Sequence, residues 1–385
     1  MSSISAYTVV VGLNGALQKR FVLTPDNKLV PGNVHRAAEV QTGVGGKGQD
    51  VCITLSCLGY GDTRLAQFVG NDPEGNTVME ILREKLGLEG ASALTVRTKS
   101  QMRTCTTIVA SDASTELVEP SGIIEDEEQT EFMNQLVAKA SLTAAICFMG
   151  SIPPGCPKDI YGGIYEKLCS KRVLCVIDSV DGLSPLLSTI SGIEDRGPVI
   201  LKINASELCR LAKAPKSSSE AEGISPGELG MAVDQFLKEF SPKALAGLAI
   251  TDGKYAAHFV ALNGAIEEKP EIFRMDPPIL DKSKTLYPIG AGDSVAAGTL
   301  AAWRSLEDPE SKLLDETTML SLKKRLNIVT KGLSENVATL TMVASFAFGL
   351  ACGSASCLKE QNSVVEPETV LALFESMNEP YVLHI

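Results

Sequence analysis

The chain has 385 residues, 44% of them hydrophobic and 21% charged, a globular composition long enough to bury a large core. The formal net charge of -12 comes with no block of basic residues, which argues against a nucleic-acid partner; Lys323-Lys324-Arg325 reads as a solvated helix face. The N-terminus has no basic n-region or cleavage site, no apolar run is expected to span a bilayer, and the ten scattered cysteines include no Cys-x-x-Cys, so a cytoplasmic protein with reduced thiols is expected rather than disulfides or zinc.

Thr8 to Leu13 is an apolar, β-branched run and reads as the first core strand. It delivers Asn14-Gly15-Ala16-Leu17-Gln18 to the C-terminal edge of a sheet, where ligands gather in open α/β folds. Lys19 to Glu39 alternates loosely around Pro31-Gly32-Asn33 and reads as strands with a turn, outside the main sheet. Gly43-Val44-Gly45-Gly46-Lys47-Gly48-Gln49-Asp50 is a Gly-rich turn feeding an apolar helix that ends at Gly59. Lys47 is either a surface lysine on that loop or a cation placed to meet a developing oxyanion. Leu65 to Val69 is a strand, and Gly75 to Leu86 a helix closed by Gly87. Leu94 to Arg97, Arg103 to Ala110 and Thr115 to Val118 are β-rich and predict a small β subdomain.

From Glu125 onward helix and strand alternate. Glu127 to Ser141 and Asp159 to Ser170 read as helices. Ala144 to Met149, Val173 to Ile177 ending at Asp178, Val199 to Lys202 ending at Asn204, and Ala246 to Thr251 read as buried strands. The alternation predicts one α/β domain over residues 1–385, with a doubly wound, mostly parallel sheet flanked by helices. Lys213 to Glu228 is rich in Ser, Pro and Glu and reads as a flexible loop; Glu307 to Ser334 is charged and partly helical. Val337 to Cys352 is an apolar helix carrying Ala347, Gly349, Ala351 and Gly353.

Tyr287-Pro288-Ile289-Gly290-Ala291-Gly292-Asp293-Ser294 precedes an apolar helix running from Val295 to Trp303. Gly290, Ala291 and Gly292 form a tight turn onto a helix N-terminus, whose unpaired amides favour an anion. Asp293 then has two readings, a base that takes a proton from an attacking hydroxyl or an N-cap on a Gly-rich turn.

Taken together and in this order, the Gly46-Lys47-Gly48 and Gly290-Ala291-Gly292-Asp293 turns resemble the ribokinase-like (PfkB) carbohydrate kinases over about Val9 to Leu373. The resemblance implies an ATP- and Mg2+-dependent sugar kinase, Asp293 as general base, with a β-sheet lid within about 19–40 and 94–120 that also offers a homodimer surface. Lys202-Ile203-Asn204-Ala205-Ser206-Glu207 matches the family's Asn-x-x-Glu element. There an amide and a carboxylate order water around Mg2+ on ATP, although Asn204 capping an ordinary helix would look the same. Thr251-Asp252-Gly253 resembles the family's nucleotide turn, and the family sets small residues such as Ala347 and Gly349 against the adenine. Arg103, Thr115-Glu116-Leu117-x-Glu119-Pro120 and Gly150-Ser-x-Pro-Pro-Gly155 resemble the 1-phosphofructokinase and tagatose-6-phosphate kinase branch. That branch implies a sugar site formed by Asn14, Gln18, Gly45, Gly46, Lys47, Asp50, Arg103 and Glu119, with Lys47 and Arg103 toward an acceptor phosphate and a phosphorylated ketohexose as the favoured acceptor.

The chain departs from the family at two places. The family's Asn-Pro-Ala-x-Asp is Asn14-Gly15-Ala16-Leu17-Gln18 here, and its Gly-Lys-Gly-x-Asn is Gly46-Lys47-Gly48-Gln49-Asp50. The acid and the amide have exchanged places, which warns of a different acceptor. A neutral-sugar or nucleoside kinase of the same fold, or a catalytically silent kinase-like binding protein, stays open. A dinucleotide oxidoreductase is disfavoured, since no Gly-x-Gly-x-x-Gly follows the first strand.

Overall fold

The computed structural model describes residues 6–24, 28–110, 114–169, 172–214, 223–240, 242–262, 270–281, 285–311, 313–330 and 336–384. Strand β1 (Tyr7–Asn14) shows how the sheet is built. Its side chains alternate between two apolar clusters, Val9 and Val11 entering one and Val10 the other. A strand buried on both faces is mostly apolar, as Val9-Val10-Val11 is, and the buried Thr8 hydroxyl is hydrogen-bonded to Tyr60 at 2.8 Å.

The chain continues through β2 (Ala16–Leu23), β3 (Ala37–Gly45), α1 (Lys47–Cys57), β4 (Thr63–Gly70), α2 (Pro73–Ser92), β5 (Leu94–Thr98), β6 (Thr104–Val109) and β7 (Ser114–Val118). Then come α3 (Asp126–Lys139), β8 (Thr143–Met149), α4 (Ile160–Leu168), β9 (Leu174–Asp178), α5 (Leu183–Ser191), β10 (Val199–Asn204), α6 (Ala205–Leu211), α7 (Pro226–Glu239) and β11 (Gly247–Thr251). The last part holds β12 (Ala257–Ala261), β13 (Glu271–Met275), α8 (Ala291–Glu307), α9 (Glu316–Thr330), α10 (Val337–Ser356), α11 (Pro367–Ser376) and β14 (Tyr381–Val382). Among the described residues the main sheet runs β14-β13-β12-β11-β10-β9-β8-β1-β4-β5, and a separate four-stranded sheet runs β3-β2-β6-β7. Pairing is parallel from β5 to β11 and antiparallel from β11 to β14. Helices α3 to α7 cover one face; α1, α2, α8, α10 and α11 cover the other. The α/β class expected from the sequence is what forms.

Two expectations are corrected. β5 belongs to the main sheet, not the small one: Leu94 pairs in register with Ala66, and Leu94, Val96 and Thr98 are buried while Thr95 and Arg97 between them are less so. Alternation alone cannot tell a lid strand from a sheet edge. And α10 is, by length and composition, apolar enough to cross a membrane, with mean hydropathy 1.6 over its best window. That window is 83% buried inside the fold, so the apolar surface is spent on α8 and α11. Within α2, Gly87 takes φ 72° and ψ 172°, outside the helical region, so it closes a first helical stretch after Leu86 as expected, and a second stretch follows to Ser92. The Ser-rich loop falls mostly on residues 215–222, outside the described residues, and α7 begins at Pro226.

Candidate active site

The C-terminal ends of β1, β8, β9 and β10, the N-termini of α1 and α8, and the small sheet enclose one cleft of about 440 Å3. Asn14, Gln18, Gly45, Gly46, Lys47, Asp50, Arg103, Glu207, Gly290 and Asp293 all line it. Residues 275 positions apart in the chain (293 − 18), Gln18 and Asp293, thus line a single site because parallel strands deliver their C-terminal ends to one edge.

At the α8 end, Gly290 adopts φ 82° and is the helix N-cap. A side chain there would meet Ser363, so glycine serves both conformation and space. Gly290 supplies no side-chain cap, and Asp293 lies three residues into the helix, which rules out the reading of Asp293 as the N-cap. The Ala291 amide donates to Pro288 O at 3.1 Å, closing the turn, so the anion-binding amides are reduced to those of Gly292 and Asp293. A Cβ on Gly292 would sit 3.0 Å from Lys202 Nζ, which places that ammonium directly beneath the turn.

Asp178, at the end of β9, organises the charges. Its buried carboxylate accepts from Lys47 Nζ at 2.7 Å and from Lys202 Nζ at 2.6 Å. Burial works to raise its pKa, but the two lysines outweigh that and hold it below the usual carboxylate range. Burial likewise disfavours the Lys47 ammonium, and Asp178 more than compensates, raising its pKa. Asp293 goes the other way. It stays partly accessible from the cleft yet is enclosed on most sides, and burial followed by the nearby Asp178 charge pushes its pKa up to about 7 against the pull of Lys47 and Lys202.

Asn204 and Glu207 form a reciprocal cap on α6: Asn204 Oδ1 accepts from the Glu207 amide at 2.8 Å, and Glu207 Oε2 from the Asn204 amide at 3.1 Å. Glu207 still faces the cleft; Asn204 does not line it. Among the described residues no three His, Cys, Asp or Glu side chains group as a metal cage. Thr251 pairs in register with Asn204 at the end of β11, and Gly253 follows at φ 60°; neither lines the cleft. Ala347 and Gly349 are corrected: they are buried in α10, and a Cβ on Gly349 would meet Thr299 Oγ1 at 2.3 Å and Val295 O at 2.5 Å. Close packing of α10 on α8 accounts for the small residue, and neither position reaches the cleft.

The opposite end is covered by the small sheet. Arg103 donates from each of its three nitrogens, to Gly15 O at 3.2 Å, Ser121 Oγ at 3.3 Å and Asn14 O at 2.7 Å. Asn14 in turn accepts from Ser121 and donates to Ser151 Oγ at 2.8 Å. Gln18 Nε2 donates to Thr107 Oγ1 at 2.6 Å. Asp50 is 4% exposed, and its Oδ1 has no hydrogen-bond partner. Burial, then the Asp293 charge, raises its pKa well above the usual carboxylate range, opposed by a hydrogen bond with Ser363 and by Arg20. Gln18 and Asp50 thus share the cleft without pairing. Glu119 is corrected too. Its carboxylate accepts from the Thr104 amide at 2.7 Å and ties β7 to β6, while Glu116 and Val118, one strand period apart on β7, face the cleft.

Asp178 and Glu116 are the residues that sequence reasoning missed as site groups. An acid closing an apolar strand was the available signal for Asp178; Glu116 stands within Thr115-Glu116-Leu117-x-Glu119-Pro120, where Glu119 reads as the ligand group instead.

The profile of the pfkB family carbohydrate kinases matches residues 14–368. The chain belongs to that family. As a pfkB carbohydrate kinase it is a sugar kinase phosphotransferase, and the fold agrees. Phosphofructokinase-2 from Escherichia coli, solved in complex with fructose-6-phosphate, superposes with TM-score 0.67 at 17% identity, covering 96% of this chain and 98% of that one. A possible 1-phosphofructokinase from Thermotoga maritima gives TM-score 0.65 at 16% identity, with 98% and 100% covered. Ribokinase from the same organism gives 0.59 at 17%, with 96% and 100% covered.

Proposed function

We propose that the cleft transfers the γ-phosphoryl group of ATP to a sugar hydroxyl, with Asp293 taking the hydroxyl proton. The observation that carries this reading is the position of Asp293: in the first turn of α8, beside the amides of Gly292 and Asp293, with its pKa pushed up to about 7. A base works best when its pKa lies near the operating pH. The two amides and the Lys47 and Lys202 ammonium groups supply positive charge where a transferring phosphoryl group gathers negative charge. Asp178 holds both ammonium groups in place, so little reorganisation accompanies transfer.

The residues present suit Mg2+ arriving with ATP. Mg2+ is commonly held by one or two carboxylates, waters and substrate phosphates, not a protein cage. Glu207 offers one such carboxylate to the cleft, and the capping bonds fix its helix. When bound, the ion supplies charge neutralisation at the phosphates. Thr251 and Gly253, at the end of β11 and outside the cleft, offer a turn for the nucleotide.

The test is product identity. Purified protein with ATP, Mg2+ and a panel of sugars and sugar phosphates should add one phosphoryl group to a sugar, read by mass spectrometry alongside ADP release. ADP formed at the same rate without any sugar, and no phosphorylated product, would contradict the reading.

A further inference from the structure

The small sheet meets the rest of the fold through a buried cation. Arg20 on β2 is 5% exposed. Its Nη2 donates to Asn362 Oδ1, and its guanidinium lies over the Tyr287 ring, 5.8 Å from the centroid. Arginine is rarely buried unless paired, and here its partners are a neutral amide and a ring face. Such a position is a poor device for stability alone.

Asn362 belongs to the segment between α10 and α11, which is fastened to the turn at Gly290. Ser363 Oγ donates to Gly290 O at 3.1 Å, and the Tyr287 amide donates to Cys357 O at 2.8 Å. Ser363 O accepts from Thr54 Oγ1 on α1 at 2.7 Å. Ser363 holds a left-handed φ of 57°, which a residue with a side chain keeps only where its contacts fix it. Gln41 on β3 donates to Glu360 at 3.1 Å, so the small sheet touches this segment at two points.

The chemistry of the pair fixes the amide. A guanidinium only donates, so Asn362 must present its oxygen to Arg20 and its NH2 elsewhere. Among the described residues that NH2 has no hydrogen-bond partner. Asn362 is half-buried and lines the cleft together with Ile289 and Gly290, and a Cβ on Gly290 would sit 3.4 Å from its own Cβ. An unspent donor therefore stands beside the turn, oriented by a cation from another sheet.

Resting on the kinase reading above, we infer that Asn362 is a further acceptor-binding residue and Arg20 its positioning residue: Arg20 turns the amide so that its N–H donates to an oxygen of the bound acceptor beside the Gly290 turn. Because Arg20 is carried by β2, the donor is set only while the small sheet covers the cleft. Without Arg20 the amide is free to rotate, and its oxygen competes with its nitrogen for the same place.

The test reads four probes, fructose, fructose 6-phosphate, ribose and adenosine, binding to the full chain with Mg2+ and a non-hydrolysable ATP analogue by calorimetry. The tightest binder serves as reporter, and kcat and KM for it follow from product formation with ATP. Asn362→Ala should weaken reporter binding roughly 3- to 10-fold, the range of one hydrogen bond, and leave affinity for the ATP analogue within about twofold. Asn362→Asp still accepts from Arg20 but has no N–H, so it should weaken the reporter at least as much. Arg20→Met should raise the acceptor KM while kcat stays near normal. The double variant should bind the reporter no worse than Asn362→Ala alone, since Arg20 acts only through the amide. A merely structural Arg20 would add its own loss and lower ATP affinity with it. Wild-type reporter affinity in Asn362→Ala or in Asn362→Asp overturns the inference, as does a loss confined to the ATP analogue; additive losses overturn the role of Arg20. Should Arg20→Met not fold, the two Asn362 variants decide the donor. Failure of all four probes to bind the wild type also overturns the inference. The expected shifts in binding without any phosphorylated product support it and overturn the kinase chemistry.

Discussion

At the end of the cleft closed by α8, Lys47 and Lys202 share the Asp178 carboxylate at 2.7 and 2.6 Å; at the end covered by β7, the Asp50 carboxyl keeps an oxygen without a partner and faces Glu116 across the gap. The first end is complete without a ligand. Its two lysines are matched by Asp178, its turn is closed by the Ala291 bond to Pro288, and the Asp293 carboxyl is shifted by burial and by Asp178 against Lys47 and Lys202. The second end is not matched in this way, since Asp50 Oδ1 is buried without a hydrogen-bond partner. Phosphoryl transfer demands groups fixed in advance where charge develops, while specificity rests on polar groups that are costly to leave unmatched. On the function proposed above, the two ends divide these tasks.

The largest expected effect lies at the complete end. Asp293→Asn keeps size and hydrogen bonding and removes the base, so turnover should fall by about 10²–10⁴ with ATP affinity within a few-fold of normal. Near-normal turnover in steady-state assays would break the comparison at its first term. Next comes the shared carboxylate. Asp178→Asn leaves two ammonium groups without their partner, and breaking a buried pair of this kind destabilises by about 3–5 kcal/mol. Urea denaturation should register it; a midpoint unchanged from the wild type would mean that the lysines are solvated and not held.

The smallest effect sharpens the other end. Gln18→Asp adds a carboxylate beside Asp50 and Glu116, and Asp50→Asn removes the existing one. Each should impair acceptor kcat/KM, and the double variant should recover part of the loss, with a coupling of about 0.5–3 kcal/mol, as neighbours in one site show. Strictly additive effects would separate the two residues energetically even though they line one cleft.

Much of this was legible in the chain. β1, β4, β8, β9, β10 and β11 are buried on both faces and declare themselves as short β-branched runs. β12 and β13 did not, because they mix polar residues such as His258, Glu271 and Arg274 into the pattern. α5 was hidden by Pro185 and three serines within Leu183–Ser191. Of the site, both Gly-rich turns were readable as local motifs, since a tight turn before a helix is a property of adjacent residues. Asp178 and Glu116 were not, because their significance lies in what the fold brings to them. The same holds in reverse for Arg103 and Glu119: their residue types suggest ligand contacts, and the structure commits them to backbone groups.

One departure from the family pattern also acquires a cause. Gln49 fills the space beside β1, and a Cβ on Gly15 would sit 2.6 Å from its Nε2 and one on Gly46 2.4 Å from its Oε1. Glycine in place of the family's proline at position 15 is therefore linked to Gln49, which donates to Gly12 O and Gln67 Oε1 behind the turn. Gln18 has a steric partner of the same kind, since a Cβ on Gly45 would sit 2.8 Å from its Oε1.

The pH dependence of kcat/KM for the accepted sugar tests the central claim most directly, because it reports the pKa of the base in the free enzyme. Burial and Asp178 raise the Asp293 pKa, so the catalytically competent carboxylate forms only as pH rises. The account predicts kcat/KM climbing with pH, half-maximal at about pH 7 and levelling above it, with that limb absent from the residual activity of Asp293→Asn. A profile flat between about pH 5 and 8, as an ordinary carboxylate of pKa about 4 would give, would contradict it.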